Sequence, residues 1–225
     1  MTAAEPVALR LPFTGTWRVE NSPARRVPSH GTHLFATTYA IDFVAVDARG
    51  RSGTTRDGRT WLGTEPPGRF VGFGVPVLAP VAGTVVGVHD GEPDHEARRS
   101  PLTLLPYAVT QRSPARGGAA GLAGNHVVLR LADRDAYVLL AHLRRGSLRV
   151  HRGDQVEVGQ PLGACGNSGN STQPHVHLQA MTGPDGTRAE GLPVVFGAYL
   201  TRPRRGAAVV VDRGVPGERE VVEAH

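Results

Sequence analysis

The stretch Gly166-Asn167-Ser168-Gly169-Asn170-Ser171-Thr172-Gln173-Pro174-His175-Val176-His177-Leu178-Gln179-Ala180 is where this chain changes character. Up to Pro174 it is turn chemistry: glycine for left-handed backbone, asparagine and serine for local hydrogen bonds, proline for a fixed φ. From His175 onward it alternates as a strand does. In extended backbone, residues i and i+2 project to the same face, about 6.5–7 Å apart. Two imidazoles so placed can serve one site in different roles, one holding a metal ion and the other handling a proton.

On both sides of this junction the chain is built from short strand-like pieces. Thr14 to Glu20 and Thr38 to Val46 are bounded runs, the second rich in β-branched and aromatic residues. Residues 75–88 read as two short strands broken at Pro80 and Ala82-Gly83, which predicts a hairpin. Asn125 to Leu131, Ala136 to Leu143 and Arg149 to Leu162 follow, the last with turns at Arg152-Gly153-Asp154 and Val158-Gly159-Gln160. Beyond Gln179 the pattern weakens to one apolar strand, Ala208 to Val211, and a charged tail. Two long polar connections interrupt the series: 49–73, and 90–123 with its apolar island at Leu102 to Val109. With 29 glycines, 18 prolines and little helical periodicity, the class expected is all-β. The long connections would wall a groove on one sheet. The expected organisation is an N-terminal extension over 1–29 with a strand packing on the core, a main domain over 30–200, and a C-terminal strand and tail over 201–225.

Composition excludes several classes. No apolar run reaches the roughly 18–20 residues of a membrane span. The first residues have neither the basic start nor the apolar core of a signal peptide, so the chain as written reads as cytoplasmic, or as reaching the cell envelope or exterior by another route. The net charge of +5 comes from arginine alone, since there is no lysine. The arginines are scattered and not interleaved with aromatics, so no nucleic-acid platform is expected. Lysine's absence also excludes a biotinyl or lipoyl carrier. The single cysteine, Cys165, rules out an internal disulfide and a cysteine-rich zinc site.

A hydrolytic zinc site needs about three protein ligands, drawn from histidine nitrogens and carboxylate oxygens. There is no His-Glu-x-x-His helix, so the site must be assembled from strands. The candidates are His30, His33, Asp42, His142, His175 and His177. By alternation His142 shares the side of Val138 and Leu140 at a strand end, which suits either a core residue or part of a site. His126 could line a cleft or be structural. His89, His95, His151 and His225 fall in loops or the tail and carry no signal.

The loop Gly166–Pro174 with its His-x-His pair resembles the signature of the lysostaphin-type zinc endopeptidases, which cut peptide cross-links in bacterial cell walls. Three more segments match that family in order: Tyr39-Ala40-Ile41-Asp42-Phe43, the run Val77 to Val86, and Leu140-Ala141-His142-Leu143 followed by Gly153 and Val158-Gly159-Gln160. The resemblance spans about residues 30–180. It implies an antiparallel β-sandwich or half-barrel (a duplicated hybrid motif) with groove-lining loops, one zinc ion per chain and a peptidoglycan peptide as substrate. It makes Asp42 and His177 zinc ligands, and His142 and His175 the catalytic histidines. The first ligand departs from the usual spacing of four residues before the aspartate, a position held here by Thr38. His33, nine residues before Asp42, is the expected first ligand, with His30 or an incomplete site as alternatives. If the site were incomplete, the fold would serve as a non-catalytic module that binds cell-wall peptides or regulates a partner hydrolase.

Overall fold

The short β-branched runs between turns do form strands. The computed structural model describes residues 4–55, 57, 60, 62–100, 118–203 and 206–224. Among them the strands are β1 (Val7–Leu9), β2 (Thr16–Glu20), β3 (Ile41–Ala45), β4 (Pro76–Leu78), β5 (Gly83–His89), β6 (Asn125–Leu131), β7 (Tyr137–Leu143) and β8 (Gln155–Val156). They continue with β9 (Pro161–Ala164), β10 (Val176–Met181), β11 (Gly191–Leu192), β12 (Val194–Phe196), β13 (Tyr199–Thr201), β14 (Val209–Val211) and β15 (Val221–Ala224). The principal sheet is antiparallel, in the order β14-β13-β15-β2-β3-β10-β7-β6-β5-β8, with β11 added beside β10. Two small pairs accompany it, β1 with β12 in parallel and β4 with β9 antiparallel. The expected all-β, antiparallel class is what is observed. Among the described residues no helix is long and apolar enough to cross a membrane.

Alternation sorts the strands into two faces. Ile41 and Phe43 of β3, Val138 and Leu140 of β7, Val176 and Leu178 of β10, and Val127 and Leu129 of β6 all enter one buried cluster. The small pairs cover that face with Val7, Val77, Leu162 and Phe196, which join the same cluster. At its centre Phe13 stacks on Trp17 at 4.4 Å and meets Phe43 edge-on at 5.0 Å, and Phe43 meets Phe196 edge-on at 5.7 Å. Burying each such ring contributes about 1.5–3 kcal/mol. The residues between, Asp42 on β3 and His177 and Gln179 on β10, are left on the opposite face.

Three expectations are corrected. Residues 75–88 are not a hairpin: β4 pairs with β9, while β5 pairs with β6 and β8. At the corner between them Gly83 lies so close to Arg130 that a Cβ there would stand 2.2 Å from its carbonyl oxygen, which ties β5 to β6. The C-terminal tail contains a further strand, β15, paired with β2 and β13. Within the connection 90–123, Gly118–Ala123 forms a short helix, α1. The apolar island Leu102 to Val109 lies outside the described residues.

Candidate metal centre

The register of β10 sets the site. His177 stands directly opposite Asp42 of β3 on one side and Ala141 of β7 on the other. His177 Nδ1 lies 2.9 Å from Asp42 Oδ1. The third member is His30, whose Nε2 lies 3.2 Å from Asp42 Oδ2. Among the described residues, His30, Asp42 and His177 are the trio whose ligand atoms all lie within 4.8 Å of one another.

The expected first ligand, His33, is not in this cluster. It is exposed, and its Nδ1 lies 3.1 Å from Thr38 Oγ1. The cause is the closure of the loop from 29 to 38. The Ser29 amide donates to the Thr38 carbonyl at 3.0 Å, and Ser29 Oγ donates to the Thr37 carbonyl at 3.1 Å. That closure sets His30 against the start of β3 and leaves His33 on the outer limb. Spacing alone could not distinguish the two, because the loop doubles back through Phe35 and Ala36, both left-handed at φ 57° and 60°.

His142 also departs from simple alternation. Val127 pairs with Leu140 and Asn125 with Leu143, so β7 carries one residue more than β6 between these pairs. This is a β-bulge, and His142 sits in it at φ 61°. A left-handed non-glycine residue costs on the order of 1–3 kcal/mol. Leu143 takes the core position, and His142 turns away from the side of Val138 and Leu140 toward the site. Its ring centre lies 4.6 Å from that of His175 and 5.8 Å from that of His177.

The loop before β10 is wedged in place. Gly169 has φ 67°, and a Cβ on it would lie 2.4 Å from the Gly124 nitrogen. Ser168 Oγ donates to the Leu143 carbonyl at 2.8 Å and accepts the Asn125 amide at 3.0 Å. Both long connections reach this loop: Ser52 Oγ donates to Gln173 Oε1 at 3.0 Å, and the Arg98 amide donates to the Thr172 carbonyl at 2.7 Å.

Hydrogen-bond direction then fixes the tautomers. Ser29 gives its one hydroxyl hydrogen to Thr37, so it accepts from His30 Nδ1 at 3.0 Å. Gln179 donates its amide nitrogen to the Phe35 carbonyl at 2.9 Å, so its Oε1 accepts from His177 Nε2 at 2.9 Å. With those N–H groups engaged, the neutral imidazoles turn lone pairs, His30 Nε2 and His177 Nδ1, onto the Asp42 carboxylate. Asn21 Nδ2 donates to the same carboxylate at 2.8 Å. Acceptors facing acceptors require a positive charge among them, either a proton or a cation. The two nitrogens and one carboxylate oxygen fit zinc's ligand preferences.

Protonation follows the same geometry. Burial would raise the Asp42 carboxyl, but His30 and His175, with hydrogen bonds from His177 and His30, hold it well below the ordinary carboxylate range. Burial would lower His177, yet its hydrogen bond to Asp42 and the Asp42 charge lift it above the ordinary histidine value. His142 goes the other way: burial, then the charges of His175 and His177, push it well below that value. His142 Nδ1 donates to the Ser168 carbonyl at 2.9 Å, and His175 Nδ1 donates to the Gln173 carbonyl at 2.8 Å. Each therefore presents Nε2 as an acceptor, that of His175 being 3.8 Å from Asp42 Oδ1.

Sequence reasoning passed over Asn21, Ser29 and Gln179, whose roles depend on contacts no motif announces. Cys165 is buried, and burial, with the nearby Asp94 charge, pushes its thiol up, which disfavours the thiolate.

These features define an all-β protein with a His-Asp-His donor set and two flanking imidazoles on one sheet face. The model of Peptidase family M23 matches residues 108–189, the part of the chain that carries the His-x-His loop. The match contains His142, His175 and His177, while His30 and Asp42 precede it. That match supports a metallopeptidase function. Solved structures similar to this chain include the catalytic domain of the antimicrobial peptidase lysostaphin from Staphylococcus simulans, at 20% identity over 68% of this chain and 74% of that one, TM-score 0.39. A zinc-containing peptidase from Vibrio cholerae is similar at 19% identity over 68% and 50%, TM-score 0.34. The metalloprotease pseudoalterin, from the deep sea, is similar at 15% identity over 84% and 76%, TM-score 0.41.

Proposed function

We propose that this chain is a zinc metalloendopeptidase that hydrolyses amide bonds in peptidoglycan cross-links or related peptides. The observation that carries the reading is the pair of imidazole lone pairs turned onto Asp42 by Ser29 and Gln179. His30, Asp42 and His177 would hold the ion. Zinc bound there would polarise the scissile carbonyl and bring the pKa of water toward neutrality. His142, kept neutral by burial, and His175, oriented by the Gln173 carbonyl, would each accept a proton at Nε2 and return it to the leaving nitrogen. Their other nitrogens, donating to backbone carbonyls, set both neutral rings in the tautomer that accepts at Nε2. The unit concerned spans residues 30–200, with the loop Gly166–Pro174 as its most specific part. The presence of a third donor, His30, weighs against a module that has lost its metal.

The test is digestion of purified peptidoglycan by the zinc-supplied protein, with the released fragments identified by mass spectrometry. Cleavage at peptide cross-links is expected. His142→Ala and His175→Ala should each slow it by about 10²–10⁴-fold while zinc stays bound. Zinc bound with no cleavage of any cross-link would leave only the non-catalytic module.

A further inference from the structure

The two flanking imidazoles lean on carbonyls of one loop, but those carbonyls are not held alike. His142 donates to the Ser168 carbonyl, and the backbone there is wedged at Gly169 against Gly124. His175 donates to the carbonyl of Gln173, only two residues before it. The peptide carrying that oxygen joins Gln173 to Pro174, and proline has no N–H. Hydrogen bonding can fix this peptide plane only through its oxygen.

The neighbouring positions are tied from outside, Thr172 by the Arg98 amide at its carbonyl and Gln173 by Ser52 Oγ at its side chain. Neither bond reaches the Gln173 carbonyl. Ser171 does: it is buried, and its Oγ donates to that oxygen at 2.8 Å. Among the described residues, this hydroxyl and His175 Nδ1 are the two donors to the Gln173 oxygen, one for each lone pair. Ser171 Oγ also lies 3.0 Å from His175 Nδ1. With its own hydrogen given to the carbonyl, the hydroxyl can only accept from the ring. The imidazole hydrogen is shared between the Gln173 oxygen and the hydroxyl that pins it. Ser171 Oγ, the Gln173 oxygen and His175 Nδ1 close a triangle with sides of 2.8, 2.8 and 3.0 Å.

We propose that Ser171 is the positioning residue of His175. By fixing the Gln173–Pro174 carbonyl it keeps the imidazole hydrogen on Nδ1 and leaves Nε2 facing the donor set, 3.8 Å from Asp42 Oδ1. This rests on reading His175 as a proton carrier of a peptidase centre. Without the hydroxyl the peptide plane turns, Nδ1 loses both acceptors at their present geometry, and the neutral ring populates both tautomers. A ring with its hydrogen on Nε2 cannot take up a proton there.

The test uses the full chain supplied with zinc, unaltered and as Ser171→Ala and Ser171→Thr, with two readouts. The first is the tautomer of His175 at pH 8, where unperturbed histidines are neutral. It is read from imidazole proton–nitrogen correlation spectra and assigned by the signals missing from His175→Ala. The unaltered chain and Ser171→Thr, which keeps a hydroxyl, should carry the hydrogen on Nδ1 alone. Ser171→Ala should show a mixture of both tautomers. The second readout is steady-state cleavage of soluble cross-linked peptidoglycan fragments. In Ser171→Ala, kcat should fall by about 10–100-fold while KM stays within about twofold, and Ser171→Thr should restore kcat. A single Nδ1–H tautomer in Ser171→Ala would overturn the proposal. So would a rise in KM at unchanged kcat, or a loss of activity matched by loss of bound zinc. If the unaltered chain cleaves nothing, a tautomer mixture in Ser171→Ala still upholds the positioning, and the peptidase reading alone fails.

Discussion

At the scale of single residues, the account turns on how two imidazoles are oriented. Gln179 holds His177 through Nε2, so Gln179→Ala should weaken zinc binding by about 10–100-fold, measured by competition with a chromogenic chelator. The metal-free protein should also show opposed pH responses from two buried histidines. His177 is raised in the folded state, so its stabilising proton is fully in place below about 6.5, the unfolded value, and is lost as pH rises through the folded value. His142 is lowered, so below about 6.5 the unfolded chain takes a proton the folded site refuses, and stability falls. Urea unfolding across pH 5–8 should find the apo protein most stable near the ordinary histidine pKa from these two groups. His142→Asn should flatten the acid side of that curve, and an unchanged acid side would refute the assignment. At this scale the sequence was most legible where chemistry is local: Asp42, His142, His175 and His177 stand in recognisable motifs, and their side chains lie together on one sheet face. The first donor was not legible, because His30 and His33 are separated only by how residues 29–38 close on themselves.

At the scale of elements, bulges and close-packed loops decide which side chains reach the site. Alternation alone would bury His142 with Val138 and Leu140, and the extra residue in β7 is what turns it out. Nothing in Leu140-Ala141-His142-Leu143 marks a bulge, since the distortion answers to the partner strand β6. The predicted hairpin failed for a similar reason: β4 finds its partner in β9, some eighty residues away, and turn chemistry at Pro80 carries no information about that. Gly169 of the Gly166–Pro174 loop is left-handed, as a turn glycine is, and packing adds a second demand on it, whereas Gly166 is required by its approach to the Arg144 backbone. Gly169→Ala would force a left-handed alanine and a Cβ against the Gly124 backbone. It should destabilise the protein by about 2–4 kcal/mol in denaturant unfolding. Gly15→Ala, with φ 75° and open space around it, should cost only about 1 kcal/mol. Equal losses at the two positions would show that the loop is not wedged as described.

At the scale of the whole molecule, one layered β-structure brings His30, Asp42 and His177 into contact, so an ion held by all three would be linked to folding. An ion that binds only the folded chain should raise stability by about 2.7 kcal/mol at a hundredfold excess over its dissociation constant, seen as a rise in Tm with added zinc. The all-β class was readable from composition and strand-like alternation. The packing of the C-terminal strand β15 was not, since it joins β2 through Val221, Val222 and Glu223 inside a charged segment. The most direct measurement of the central claim is the metal content of the purified chain and three variants after zinc loading and gel filtration. The account predicts one zinc per chain for the unaltered protein and for His33→Ala, and loss of the metal in His30→Ala and His177→Ala. Zinc retained by His30→Ala but lost from His33→Ala, or no zinc in the unaltered chain, would contradict it.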